Sequence, residues 1–243
     1  EFGDSSIPTN DELMFAPASP YNQSHRHFSH LMAIHPLGLI KWEDGEKAKS
    51  VIRNTIALLD KVGPDYWCGY PYAWLGSIKA WAKDGEGAAK ALQIFAKAFC
   101  LPNSFHVNGD QTKSGYSRFT YRPFTLEGNF AFAAGLQEML LQSHAGFIEI
   151  MPAVPPAWQK LSFKQLRAEG AFLVDATKEN GEIAEIRIVS EKGGTARLKL
   201  TSEQWKIVSA KGIITGKAIN GFIELSCKAG GTIVLQNQIT STK

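Results

Sequence analysis

The chain has 243 residues, 44% of them hydrophobic, and a formal net charge of +3. That is enough apolar material for one large core or two ordinary ones. The mild charge, with no lysine or arginine run, argues against nucleic acid or an anionic membrane surface as partner, and no stretch of about 18 apolar residues offers a membrane span.

Cys68, Cys100 and Cys227 are widely spaced and odd in number, so they suggest neither a disulfide framework nor a metal-ligand pattern. The opening Glu-Phe-Gly-Asp-Ser-Ser has no basic n-region and no apolar h-region, and reads as the middle of a longer protein or a fusion junction.

Residues 1 to about 24 are turn-rich, with Pro8, Asn10, Asp11, Pro17, Pro20 and Asn22, and read as irregular. From His27 to Ile40, the residues Phe28, Leu31, Met32, Ile34 and Leu37 fit a short helix, which Pro36 and Gly38 end or bend. Asp44 is the expected N-cap of a helix over 45–62, where Ala48, Val51, Ile52, Ile56 and Leu59 recur at helical spacing until Gly63-Pro64. After the aromatic run Tyr66-Trp-Cys-Gly-Tyr-Pro-Tyr72, a helix is predicted over 71–83, and Asp84-Gly-Glu starts another that reaches Phe99. Residues 101–123 form a polar loop, and loops of this length inside compact domains are often functional. A helix over 127–143 follows, with Phe130, Phe132, Ala133, Leu136, Met139 and Leu140 on its apolar side.

Near residue 146 the pattern changes to period-two alternation, in Phe172–Thr177, Ile183–Val189, Ala196–Leu200, Gly221–Ser226 and Thr232–Leu235. Asn180-Gly181, Gly193-Gly194, Asn220-Gly221 and Gly230-Gly231 punctuate these runs, and the last residues are polar and expected to fray. Helices first and strands second predict α and β in separate domains, a helical array over 1–145 and an antiparallel β-sandwich over 146–243. Only about five helices are expected, and several are apolar on more than one face. The helical part is therefore expected to be a piece of a larger helical barrel, or to cover its apolar surface against another chain.

Glu127 stands where an aromatic loop, Phe119-Thr-Tyr-Arg-Pro-Phe-Thr-Leu, runs into Gly128, Asn129 and the last helix. The carboxylate is suited to general-base or nucleophilic work, with Asn129 and loop residues holding its water or substrate. A glutamate in the first turn also complements the helix dipole and needs no further purpose. His25, His27 and His30 invite a metal reading, but Arg26 lies between them and no Glu accompanies a His pair as in the metalloprotease pattern. Substrate contacts and packed structural histidines remain the alternatives, and no metal or other cofactor is assigned. Trp67, Tyr70, Tyr72 and Trp74 offer rings for the apolar faces of sugars, or simple core packing. Asn108, Asp110, Gln111 and Arg118 suit sugar hydroxyls, or are solvated loop residues.

Several motifs now fall together. His25-Arg26-His27-Phe-Ser-His30-Leu31 followed by His35-Pro36, then Pro123-Phe-Thr-Leu-Glu127-Gly-Asn129-Phe130 followed by Glu138-Met-Leu-Leu-Gln-Ser-His144, then Met151-Pro-Ala-Val-Pro-Pro-Ala-Trp158 and Leu166-Arg-Ala-Glu-Gly170 occur in that order. The set resembles glycoside hydrolase family 95 over about residues 22–190. The resemblance implies the last part of an (α/α)6 barrel and a C-terminal β domain, acting on α-L-fucosides or α-L-galactosides with inversion. It implies an oligosaccharide or glycoconjugate substrate and no cofactor. The expected location is periplasmic or secreted.

The family's base aspartate, which asparagines assist, falls on Glu127, and its substrate-contacting Arg and His fall on Arg26 and His27. The roles implied are Glu127 as general base, Asn129 in support, and Arg26 and His27 on sugar hydroxyls. Trp67, Tyr121 and the 106–118 loop, with Asn108 and Arg118, would shape the pocket. Two features depart from the family: Glu replaces Asp at 127, and Tyr121 replaces a His. The family's general acid lies upstream of the His-Arg-His motif, and none of Glu1, Asp4, Asp11 or Glu12 matches it. The expectation is therefore a C-terminal fragment whose active form needs the N-terminal remainder of the same enzyme, and which is inactive or nearly so alone. The alternative is a non-catalytic glycan-binding or scaffold protein that kept the fold.

Overall fold

The computed structural model describes residues 11–201 and 204–238. The expectations for Glu1, Asp4, Pro8, Asn10 and the polar tail beyond 238 lie outside the described residues. The chain divides into two compact units between Met139 and Leu140. No helix among the described residues is long and apolar enough to cross a membrane.

The first unit carries helices α1 (Glu46–Val62), α2 (Gly69–Trp81), α3 (Gly85–Ala98) and α4 (Glu127–Leu140). The short helix expected over 27–40 is instead a 3-10 turn at Ser29–Ala33. Pro36 and the left-handed Gly38, φ 58°, follow it, and neither suits a continued α-helix.

Asp44 does not cap α1. Its carboxylate accepts from Lys41 N at 2.8 Å and closes the 3-10 turn Trp42–Asp44. Asp84 does cap α3, accepting from Gly87 N at 2.8 Å.

The apolar periodicity of α1 buries Val51, Ile52, Ile56 and Leu59. Helix α2 is buried on nearly all sides, from Tyr72 and Trp74 to Ile78 and Trp81. Phe28, Trp67, Tyr72, Phe95 and Phe99 join these in one aromatic-rich core. Each fully buried residue of this size contributes roughly 1.5–3 kcal/mol. Several large apolar side chains stay outside that core: Met32, Leu37, Leu39, Phe124, Leu126 and Phe130, the last at 67% exposure. Phe130 lies on the apolar side expected of α4, and that side is left partly uncovered.

The second unit has a two-stranded pair, β1 (Leu141–Gln142) with β2 (Glu149–Ile150), and one larger antiparallel sheet. The sheet comprises β3 (Leu161–Ala168), β4 (Phe172–Glu179), β5 (Glu182–Ser190), β6 (Gly194–Lys199), β7 (Trp205–Thr215) and β8 (Phe222–Asn237). The β-sandwich expected from the alternation is instead this single curled sheet. Its axis is β8, in which two expected runs fuse into 16 residues.

One half of β8 pairs with β6 and the other with β5, while β7 follows it through both halves. The bend falls at Gly230, φ 71°, and at the β7 irregularity around Gly212, φ 66°. Left-handed glycines of this kind let a strand turn a corner without ending. Alternate residues such as Phe172, Val174 and Ala176, Ile186 and Ile188, and Ile233 and Leu235 face the core of this unit.

Candidate active site

The two histidine- and glutamate-bearing stretches meet in the helical unit. A cavity of about 510 Å³ is lined by Arg26, His27, Cys68, Tyr70, Pro71, Asn108 and Glu127. A neighbouring, more apolar one of about 670 Å³ shares His27, Tyr70 and Glu127 and is walled by Met32, Trp74 and Phe130. The N-terminal ends of α2 and α4 form one side of the first cavity, because Tyr70 and Pro71 begin α2 and Glu127 begins α4. Glu127 sits in the first turn, where the dipole favours negative charge, and its side chain is exposed to the cavity rather than packed.

The expected loop over 101–123 is an ordered arm, not a structureless one. Asn108 N donates to Pro123 O, Gly109 N to Tyr121 O and Asp110 N to Phe119 O, at 3.2, 3.0 and 2.8 Å. Asp110 organises its tip. The fully buried carboxylate accepts from Thr112 N and Oγ1, Lys113 N, Ser114 N and Tyr116 N at 2.6–3.1 Å. Burial pushes its pKa up, but these hydrogen bonds outweigh burial and hold it below the ordinary value.

Arg26 is fixed from two directions. It donates to the Tyr121 hydroxyl at 3.2 Å and lies over the Phe119 ring at 5.4 Å. Burial, then His25, then Arg26 lower the pKa of His27, so its imidazole is neutral near pH 7 and can both donate and accept. Burial raises the Cys68 thiol, with Glu127 adding to the rise against Arg26 and Tyr121. Burial and then Glu127 raise Tyr70.

Arg26, His27, Asn108 and Glu127 therefore share a cavity, with Tyr121 just behind Arg26. Three other expected site residues lie elsewhere. Trp67 is buried, donates Nε1–H to the Tyr21 hydroxyl at 3.1 Å and packs against Phe28 and Tyr72, so it is a core residue. Arg118 pairs with Asp65 at 2.6 Å and lies over Tyr66, away from the cavity lining. Asn129 is engaged with backbone at both ends, accepting from His106 N at 3.0 Å and donating to Ser104 O at 2.8 Å. These two bonds hold the arm on α4.

The three histidines also separate. His25 Nδ1 lies against the backbone of His27, and His30 turns into the core between Phe15 and Tyr21. No group of three His, Cys, Asp or Glu placed to hold a metal ion occurs among the described residues.

Sequence reasoning offered Tyr70 as a ring for sugar faces but singled out neither Cys68 nor His106 as a site residue. His106 is fully buried beneath the Glu127 junction, with its ring 5.0 Å from that of Phe95. Its only sequence signal was its place in the long loop.

Two family models match. "Glycosyl hydrolase family 95 catalytic domain" covers residues 14–140, and "Glycoside hydrolase family 95, C-terminal domain" covers residues 142–235. The chain belongs to glycoside hydrolase family 95. Within that family it is similar to "Alpha-L-fucosidase 2" of Arabidopsis thaliana, at 26% identity over 205 residues. That match takes in 84% of this chain and 23% of the plant protein, so the chain spans under a quarter of its relative's length. Among solved structures, the native form of the Nostoc punctiforme debranching enzyme aligns at 15% identity and a TM-score of 0.24, covering 65% of this chain and 33% of that one. A TM-score that low carries no argument about the fold of this family 95 chain.

Proposed function

We propose that this chain supplies the base half of an inverting exo-glycosidase site acting on α-L-fucosides or closely related glycans. The observation that carries the reading is the shared cavity of Glu127, Arg26 and His27, built from stretches about a hundred residues apart. Glu127 accepts a proton from a water molecule, which attacks the anomeric carbon from the face opposite the leaving group. Arg26, pinned on Tyr121, donates to sugar hydroxyls, and neutral His27 donates to one and accepts from another. Asn108 completes the polar wall.

An inverting hydrolase needs a second carboxyl group roughly 6.5–9.5 Å from the base, leaving room for the water. Among the described residues lining the cavity, Glu127 is the single carboxylate. The general acid is proposed to come from a part of the enzyme outside these 243 residues. The length of the plant relative supports this, as does the exposed apolar surface at Met32, Leu37, Leu39 and Phe130. That surface is proposed to be covered by the remaining helices of an (α/α)6 barrel. The residues through Met139 would then be the end of the catalytic domain, and those from Leu140 its C-terminal β domain.

The test is Glu127→Gln in the intact enzyme with an aryl α-L-fucoside, where turnover should fall by about 10²- to 10⁴-fold. NMR of the first-formed sugar should show the inverted anomer. Undiminished turnover in Glu127→Gln would remove Glu127 as the base. The lone carboxylate also favours a second reading, a glycan-binding protein without turnover. Fucoside binding by an intact protein that hydrolyses no fucoside, with or without Glu127→Asp, would establish that reading instead.

A further inference from the structure

His106 touches the chain on both sides of Glu127. Its backbone N–H donates to Asn129 Oδ1 at 3.0 Å, and its carbonyl accepts from Thr125 N at 3.1 Å. Its ring Nδ1 meets Thr125 Oγ1 at 2.8 Å. Thr125 Oγ1 in turn donates to the Oδ1 of Asn108, a cavity residue, at 3.4 Å. With that hydroxyl proton on Asn108, Nδ1 carries the ring proton and donates to Thr125.

The ring occupies a slot that requires glycine on both walls. A Cβ at Gly69, at the start of α2, would collide with the Nε2 side of the ring, and a Cβ at Gly128, next to Glu127, would collide with the Nδ1 side. Residues 125 and 128 thus meet the side chain of His106, and residue 129 its backbone N–H.

A histidine is a costly way to fill such a slot. The residue is fully buried, and Nε2 has no hydrogen-bond partner among the described residues. A leucine or phenylalanine would fill space without burying a polar atom. What an apolar residue lacks is the bond to Thr125 and, through it, to Asn108.

We propose that His106 is a positioning residue, which holds the Thr125–Asn129 junction so that Glu127 and Asn108 face the cavity together. The proposal rests on the general-base reading of Glu127. Burial lowers the pKa of His106, with Glu127 and Thr125 opposing, which is consistent with a neutral ring acting as a hydrogen-bonding splint and not as a proton donor to substrate.

The experiment compares His106→Leu, His106→Asn, Thr125→Val and Glu127→Gln in the intact enzyme, using an aryl α-L-fucoside and normalising to folded protein by circular dichroism. His106→Leu and Thr125→Val should each lower kcat by about 10- to 100-fold, the scale of a carboxylate displaced by a fraction of an ångström to one ångström, and leave KM nearly unchanged. His106→Asn, whose amide can present a donor near the Nδ1 position, should recover most of the loss. Thr125→Val leaves the ring in its slot, so the test stands even if His106→Leu does not fold. Wild-type kcat in Thr125→Val, and in His106→Leu where it folds, beside an inactive Glu127→Gln overturns the positioning role and leaves the general-base reading intact. Undiminished Glu127→Gln overturns both.

Discussion

The Arg26 guanidinium donates to the Tyr121 hydroxyl at 3.2 Å across 95 residues of chain. This bond joins the histidine-rich stretch to the arm that leads into Glu127. Tyr121→Phe keeps the ring against Phe119, now 5.3 Å away in an edge contact, and removes the hydroxyl that accepts from Arg26 and meets Cys68 Sγ at 4.0 Å. In the intact enzyme KM for a fucoside should rise by about five- to tenfold, the scale of one net hydrogen bond of about 1 kcal/mol, with the thermal midpoint unchanged. Steady-state kinetics check this. An unchanged KM would show that Phe119 alone holds Arg26.

Asp110 is the buried hub of the arm's tip, with five donors on one carboxylate. Asp110→Ala should destabilise the helical unit by about 3 kcal/mol, because backbone donors lose a charged acceptor inside the protein. Asp110→Asn should cost less. The folded pKa is depressed, so the stabilisation is complete above the ordinary value of 3.8 and is lost as pH falls through the lower folded value. Thermal unfolding at 222 nm, with limited proteolysis between Gln111 and Arg118, reads both effects.

His30 supplies an acid-sensitive element. It lies between the rings of Phe15, at 4.7 Å, and Tyr21, at 5.4 Å, and neither ring nitrogen has a hydrogen-bond partner among the described residues. Burial pushes its pKa down from 6.5 to about 4. Between these values the unfolded chain binds a proton that the folded chain does not. Stability is therefore full above pH 6.5 and declines as pH falls toward 4, by about 3 kcal/mol at most. His30→Phe should flatten this part of the pH profile in urea unfolding. The same slope in the variant would assign the loss to other groups.

Asn129 is predicted to matter for stability rather than for the water beside Glu127. Asn129→Ala removes the bonds to His106 N and Ser104 O, and should lower stability by about 1–2 kcal/mol. At a temperature where the variant is fully folded, kcat should stay within about threefold of wild type. A loss as deep as that of Glu127→Gln, without a shift in the unfolding midpoint, would restore a direct role in catalysis.

Much of the local structure was legible in the chain itself. The spacing of Val51, Ile52, Ile56 and Leu59, and the Asp84 cap, specify α1 and α3 nearly to the residue, because helix periodicity and capping are local physics. Alternation found β4, β5 and β6. It passed over β3 and β7, where exposure follows no strict period: β7 is exposed at most positions from Lys206 to Gly212. It also split β8, whose Gly230-Gly231 reads as a turn in sequence but is a bend inside one continuous strand. The short helix after His27 failed for a local reason too, the proline and left-handed glycine that follow the turn.

The site divides along the same line. Residue types singled out Glu127, His27 and Asn108 as candidates, and the ordered motifs shared with family 95 added Arg26 and assigned the roles. Which aromatic and polar neighbours face the cavity was decided by the tertiary structure. Trp67 and Tyr70 are three residues apart, yet the first is sealed in the core and the second lines the cavity. His106 was one polar residue in a long loop until folding seated it between Gly69 and Gly128. Chemistry and period belong to the sequence because they depend on near neighbours. Burial and partnership depend on which distant segments arrive at the same place, and for Glu127 those segments are the 25–27 stretch, the start of α2 and the arm that carries His106.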